Sequence, residues 1–223
     1  MSGPGDLVIF GVSNVLSDMF DAATALGYRV TRIVTNRPPV VRERTRTLEE
    51  RIALLPEPPV VESLEAFVPA PGERYFVGVT SPAKSALIGT LTSTHGIRFA
   101  TLVHPSAYVS PFSELGEGVF VGAGSVVAPG ARIEPHVFVN RGVTVGHDTR
   151  VEEYARLFAG CDVGGHARIG RGATIGLGAA VIEELVVGAG AYVAAGGVVL
   201  RDVEPGTLVA GVPAVFKKRL DPA

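Results

Sequence analysis

The sequence predicts two folds in series, a small Rossmann-like α/β unit over residues 1–102 and a parallel β-helix over residues 103–223. Two observations carry that reading. Short apolar strands alternate with helical patterns through the first hundred residues, the signature of a parallel sheet flanked by helices. From Val103 to Val199 every sixth residue is then aliphatic, seventeen positions without a slip. In a chain that is 47% hydrophobic, chance would fill that template roughly once in several hundred thousand tries.

The first unit opens with an apolar strand at Leu7 to Phe10, a turn at Gly11-Val12-Ser13-Asn14, and apolar residues at helical spacing from Val15 to Leu26 that Gly27 stops. A second strand spans Arg29 to Val34. This βαβ opening delivers a glycine-containing loop to a helix N-terminus, where backbone N–H groups can hold an anion. Gly11 alone survives of a G-x-G-x-x-G pattern, so a plain structural turn remains the alternative. Thr47-Leu48-Glu49-Glu50 forms a capping box for a short helix that Pro56 ends. The neighbouring Arg42, Arg44, Arg46 and Arg51 alternate with glutamates and read as a solvated face without a site. A further strand is predicted at Tyr75 to Val79, then a helix capped by Ser81, started by Pro82 and running to about Thr92. Ala100 to Val103 closes the unit.

In the second unit glycine recurs at position two of the hexads, at Gly116, Gly122, Gly146, Gly164, Gly170, Gly176 and Gly188, and position five is small or aliphatic. Glycine at this density, each costing about 1 kcal/mol against alanine, would dissolve a helix. A strand-and-turn solenoid is what remains, each coil burying its aliphatic residues on the next. Three hexads per coil give five to six coils, stacked at about 4.8 Å into a prism roughly 27 Å tall. The pattern breaks after Val199, and a basic tail, Lys217-Lys218-Arg219, follows.

Composition excludes several functions. Twenty basic and 22 acidic residues nearly cancel, so nucleic acid and anionic membranes are not expected partners. The single cysteine, Cys161, falls at an inward position five and is expected to fill core. Met1 to Asp6 carries no basic residue and no apolar run suits a signal or a membrane span, so a cytoplasmic protein is expected.

The hexad array resembles the left-handed β-helix acyltransferases. The α/β opening, Leu102-Val103-His104-Pro105-Ser106-Ala107, Val139-Asn140, Val145-Gly146-His147-Asp148 and Gly211-Val212-Pro213-Ala214 are similar more narrowly to the bacterial sugar O- and N-acyltransferases, which include sialic acid O-acetyltransferases and N-acetyltransferases of nucleotide-linked 4-amino sugars. The resemblance implies an acetyl-CoA-dependent enzyme with no permanent cofactor and no metal. It implies a homotrimer whose first domain gathers the acceptor, a nucleotide-linked amino sugar, with a non-nucleotide sugar or a small metabolite as the alternative.

It also makes His147 and Asp148 the catalytic pair. Acyl transfer needs a base for the attacking amine or hydroxyl, and imidazole titrates nearest to working pH. A carboxylate nearby orients the ring and steadies the imidazolium. Gly165, one coil above His147, is placed as the oxyanion N–H donor. Arg156 stands where several members carry a second histidine near the acyl donor, and His166, beside Gly165, is a possible replacement. Asn140 matches an acceptor-site asparagine, with a turn residue or internal ladder as its alternative. Gly11, Ser13, Asn14, Thr35 and Asn36 mark the acceptor loops. Gly178, Ala179, Ala195 and Gly196 match the pantetheine groove, and Lys217 and Lys218 reach for the CoA phosphates or belong to a solvated tail.

Two other classes compete. A β-helix carbonic anhydrase would need histidines five residues apart, but Glu152 follows His147 at that spacing. A non-enzymatic trimeric scaffold would leave the outward His147-Asp148 pair without a purpose.

Overall fold

The computed structural model describes residues 4–36 and 45–221; Arg42 and Arg44 lie outside that range. The chain divides into two compact units, 1–104 and 105–223.

The first unit is a four-stranded, all-parallel sheet. Its elements are β1 (Gly5–Phe10), α1 (Leu16–Ala25), β2 (Tyr28–Thr35), α2 (Leu48–Ile52), β3 (Val60–Ser63), β4 (Arg74–Val77) and α3 (Lys84–His95). The strand order is β3-β2-β1-β4. The chain moves outward from β1 through β2 to β3, then crosses to the other side for β4. That reversal puts a crevice at the carboxyl ends of β1 and β4, the place where open α/β sheets take ligands. Leu7, Val8, Ile9 and Phe10 are fully buried, as a central parallel strand covered on both faces requires.

Three local expectations change and one holds. Strand β3 was not foreseen. Two prolines precede it, and Val60 and Val61 stay exposed at the sheet edge, so it has no buried alternation to reveal it. Ser81 does not cap α3; its carbonyl instead accepts the Lys84 N–H at 3.0 Å, and the helix begins later, after Ala83. The expected capping box at Thr47 is present, with both reciprocal bonds formed. Arg51 does not belong to a solvated face: it is buried, and its guanidinium donates to the Asn14 carbonyl at 3.1 Å and to Ser17 Oγ at 3.0 Å.

The second unit is a left-handed parallel β-helix. Two-residue strands occupy position six of one hexad and position one of the next, and each pairs with the strand 18 residues away, as in Arg132↔Arg150, Phe138↔Arg156 and Thr144↔Asp162. Position one is buried from Val121 to Val199. Val109 and Leu115, in the first coil, are half-buried because stacking covers them from one side only. The basic tail is a strand: Val215–Arg219 pairs antiparallel with Thr207–Ala210.

Position four carries the turn. From Gly118 to Gly196 every position-four residue has a positive φ, and nine of these fourteen are glycine. The other five are His136, Asp148, Tyr154, His166 and Glu184, with φ between 56° and 64°. Left-handed backbone costs an ordinary L-residue about 1–2 kcal/mol, so the exceptions carry a reason beyond the turn.

Candidate active site

Each 18-residue coil has three corners, and register decides which residues share one. At one corner, position three runs Pro129, His147, Gly165, Glu183, and position four runs Gly130, Asp148, His166, Glu184. The backbone is pinned there by a ladder between coils: the Asp148 N–H donates to the Pro129 carbonyl at 3.1 Å, His166 to His147 at 2.9 Å, and Glu184 to Gly165 at 2.9 Å.

The side chains converge on this frame. His147 Nδ1 lies 2.9 Å from Asp148 Oδ2, with both side chains more than half exposed. A carboxylate at Nδ1 fixes the proton there and leaves Nε2 as the acceptor nitrogen. Nε2 sits over Gly165: a Cβ added to that glycine would lie 2.7 Å from Nε2 and 2.9 Å from Cε1. The Gly165 N–H donates to no backbone carbonyl among the described residues. The space a side chain at 165 would fill is thus taken by the His147 ring. Below them, Gly130 makes room for Asp148, since a Cβ there would strike Oδ1. His166 packs edge-on to His147 with ring centroids 5.0 Å apart, and its Nε2 is 3.8 Å from the same Asp148 Oδ2. An open groove beside Asp148 is lined by Phe112, Gly130, Arg132 and Arg150, the last held by Glu134 at 2.8 Å.

The other β-helix candidates lie elsewhere. Arg156 projects from the face opposite this corner, half-buried, with its pKa lowered chiefly by desolvation, and it donates to the Gly172 carbonyl at 3.3 Å. Within one chain it stands apart from His147. Asn140 is 4% exposed, on a different corner from His147, and its Oδ1 accepts the Arg141 N–H at 2.7 Å. Gly178, Ala195 and Gly196 are exposed on a third corner, away from His147. Ala179 is 1% exposed, pointing into the prism, and cannot offer its side chain to CoA. Lys217 and Lys218 are exposed on the terminal strand.

In the first unit Gly11, Ser13, Asn14, Thr35 and Asn36 gather at the carboxyl ends of β1 and β2. Gly11 does not offer its amide to an anion, because that N–H donates to the Val34 carbonyl at 2.7 Å. Its purpose is conformational: φ is +78°, and a Cβ would run into Val79. Ser13 Oγ is buried with no hydrogen-bond partner among the described residues, a polar valence left open in the loop. Thr35 Oγ1 donates to the Glu62 carbonyl at 3.1 Å. Arg51, missed by the sequence reading, ties Asn14 to the start of α1.

A left-handed β-helix with a carboxylate-oriented histidine on one corner and an α/β unit ahead of it defines an acyltransferase of the hexapeptide-repeat class. Residues 112–147 match the bacterial transferase hexapeptide model (six repeats). The structure is similar to PerB from Caulobacter crescentus, solved in complex with CoA and GDP-perosamine, at 31% identity over 96% of this chain and 98% of that one, with a TM-score of 0.83. It is also similar to the acetyltransferase domain of PglB from Neisseria gonorrhoeae in complex with acetyl coenzyme A, at 27% identity over 95% and 98% of the two chains, with a TM-score of 0.80. WeeI from Acinetobacter baumannii, at 18% identity over 96% and 100% and a TM-score of 0.79, shares the fold. No curated protein matches the chain by sequence. The chain belongs to the hexapeptide-repeat sugar acyltransferases, the family of nucleotide amino-sugar acetyltransferases.

Proposed function

We propose that the chain transfers the acetyl group of acetyl-CoA to the amine of a nucleotide-linked amino sugar, working as a homotrimer in the cytoplasm. One observation carries the mechanism: His147 is held at Nδ1 by Asp148 while its Nε2 lies against the open side of Gly165. The relatives crystallised with CoA and GDP-perosamine or with acetyl-CoA support the substrate classes.

The acceptor amine, in its neutral form, attacks the thioester carbonyl, and His147 Nε2 takes its proton as the C–N bond forms. The Gly165 N–H steadies the oxyanion of the tetrahedral intermediate. The C–S bond then breaks, and the imidazolium returns its proton to the departing sulfur, giving CoA thiol and the amide. No acyl-enzyme is involved: Cys161 is fully buried, and burial pushes its thiol up to about 12. The position of Gly178 and Gly196 on a different corner from His147 supports a pantetheine groove between copies. Ile182 and Leu200 above His147, and Leu177 beside Gly178, supply exposed apolar surface to both walls of that groove.

The test is thiol release from acetyl-CoA against a panel of nucleotide-linked amino sugars. Turnover with at least one is expected, with kcat falling about 10²–10⁴-fold in His147→Ala and CoA affinity preserved. Wild-type-like turnover in that variant would overturn the mechanism.

A further inference from the structure

The acetyl-transfer reading uses one imidazole and one carboxylate at this corner, yet a second imidazole is built in beside them. His147, Asp148 and His166 each present a ligand atom within 4.8 Å of the other two, and all three side chains are exposed. Around a tetrahedral zinc ion with bonds of about 2.0–2.1 Å, ligand atoms stand about 3.3 Å apart. The two distances to the shared Asp148 Oδ2 bracket that value, 2.9 Å from His147 Nδ1 and 3.8 Å from His166 Nε2. The backbone is fixed by the His166 N–H bond to the His147 carbonyl, so only rotation of exposed rings is needed to close the third side.

We infer that His147 Nδ1, Asp148 Oδ2 and His166 Nε2 form a seat for zinc or a similar borderline cation, and that filling it stops catalysis. Two imidazoles and one carboxylate suit zinc and its neighbours, whereas magnesium and calcium ask for several oxygens. The block follows from proton bookkeeping on one ring. A neutral imidazole holds a single proton, which Asp148 keeps on Nδ1 so that Nε2 is basic. A cation on Nδ1 displaces that proton to Nε2, and the base arrives already protonated. The seat stands on geometry alone, while the block rests on His147 as the base.

The experiment titrates Zn²⁺ into the tag-free, metal-stripped full chain by calorimetry, and Co²⁺ by visible absorption. One equivalent per chain with micromolar affinity is expected, together with the intense absorption of a low-coordinate cobalt site. His166→Asn should weaken binding at least tenfold. Asparagine tolerates the left-handed turn that position 166 requires, at φ 57°, and a circular dichroism spectrum checks the fold. Absence of stoichiometric binding, or unchanged affinity in His166→Asn, overturns the seat whether or not an acceptor has been found. Loss of turnover in step with occupancy, reversed by a chelator, supports the block. Full turnover at full occupancy overturns it, and with it the assignment of His147 as base.

Discussion

The two units hold their functional loops by opposite means. In the β-helix the backbone ladder and the 18-residue register place His147 under Gly165 and Asp148 over Gly130 before any side chain acts. In the α/β unit no repeat stacks one loop on the next, and the loop after β1 is tied by the Gly11 N–H to the Val34 carbonyl and by a buried arginine 37 residues away in sequence. A repeat thus sets its site by counting, and a sheet crevice sets it by long-range side-chain contacts. Substitutions in the first should disturb chemistry while sparing the fold, and substitutions in the second should disturb both.

Among substitutions that test this contrast, the largest effect is expected at Gly165. The three nearest atoms to an added Cβ all belong to the His147 ring, so Gly165→Ala displaces an exposed ring and little else. Steady-state kinetics should show kcat reduced about 10²-fold, as a misplacement near 1 Å costs, with the melting temperature nearly unchanged. A normal kcat would mean that Nε2 does not work from this position.

Arg51→Ala tests the other side of the contrast. Loss of its bonds to Asn14 and Ser17 should cost about 1–3 kcal/mol of stability in the first unit and raise KM for the nucleotide sugar about tenfold, leaving KM for acetyl-CoA alone. Equal changes in both KM values would break the separation of roles.

The smallest effect concerns Lys84, which is buried over Phe76 at 5.9 Å, with desolvation lowering its pKa to about 7. The unfolded lysine titrates at 10.5. Between these values the unfolded chain binds more protons, so this group makes stability rise with pH from about 7 to 10.5. Lys84→Met should flatten that slope and stabilise the first unit by about 1 kcal/mol at pH 7, read from denaturant curves at several pH values. An unchanged slope would show that Lys84 keeps its proton in the folded state.

The contrast also explains what the sequence made legible. The seventeen-fold aliphatic period exposed the β-helix because each residue there meets its own counterpart one coil away. The resemblance to the sugar acyltransferases pointed to His147 and Asp148, and the register then put Gly165 and His166 one coil above them. Counting by 18 also puts Asn140, Arg156 and Gly178 away from the His147 corner of the same chain. The position-four glycines were a second unused signal, since His166 and Glu184 stand out as replacements in a column where left-handed backbone is obligatory. Arg51 and strand β3 had no periodic signal at all: one depends on a contact distant in sequence, and the other is an exposed edge.

The inward position of Cys161 has a practical consequence. It is the sole cysteine, its thiol is fully buried in the middle of the stack, and its proton is held far above neutral pH. A maleimide added to the native protein has nothing to attack until the coils around residue 161 separate. The rate of alkylation is therefore a clock for that opening, with a single readable event per chain and no engineered label.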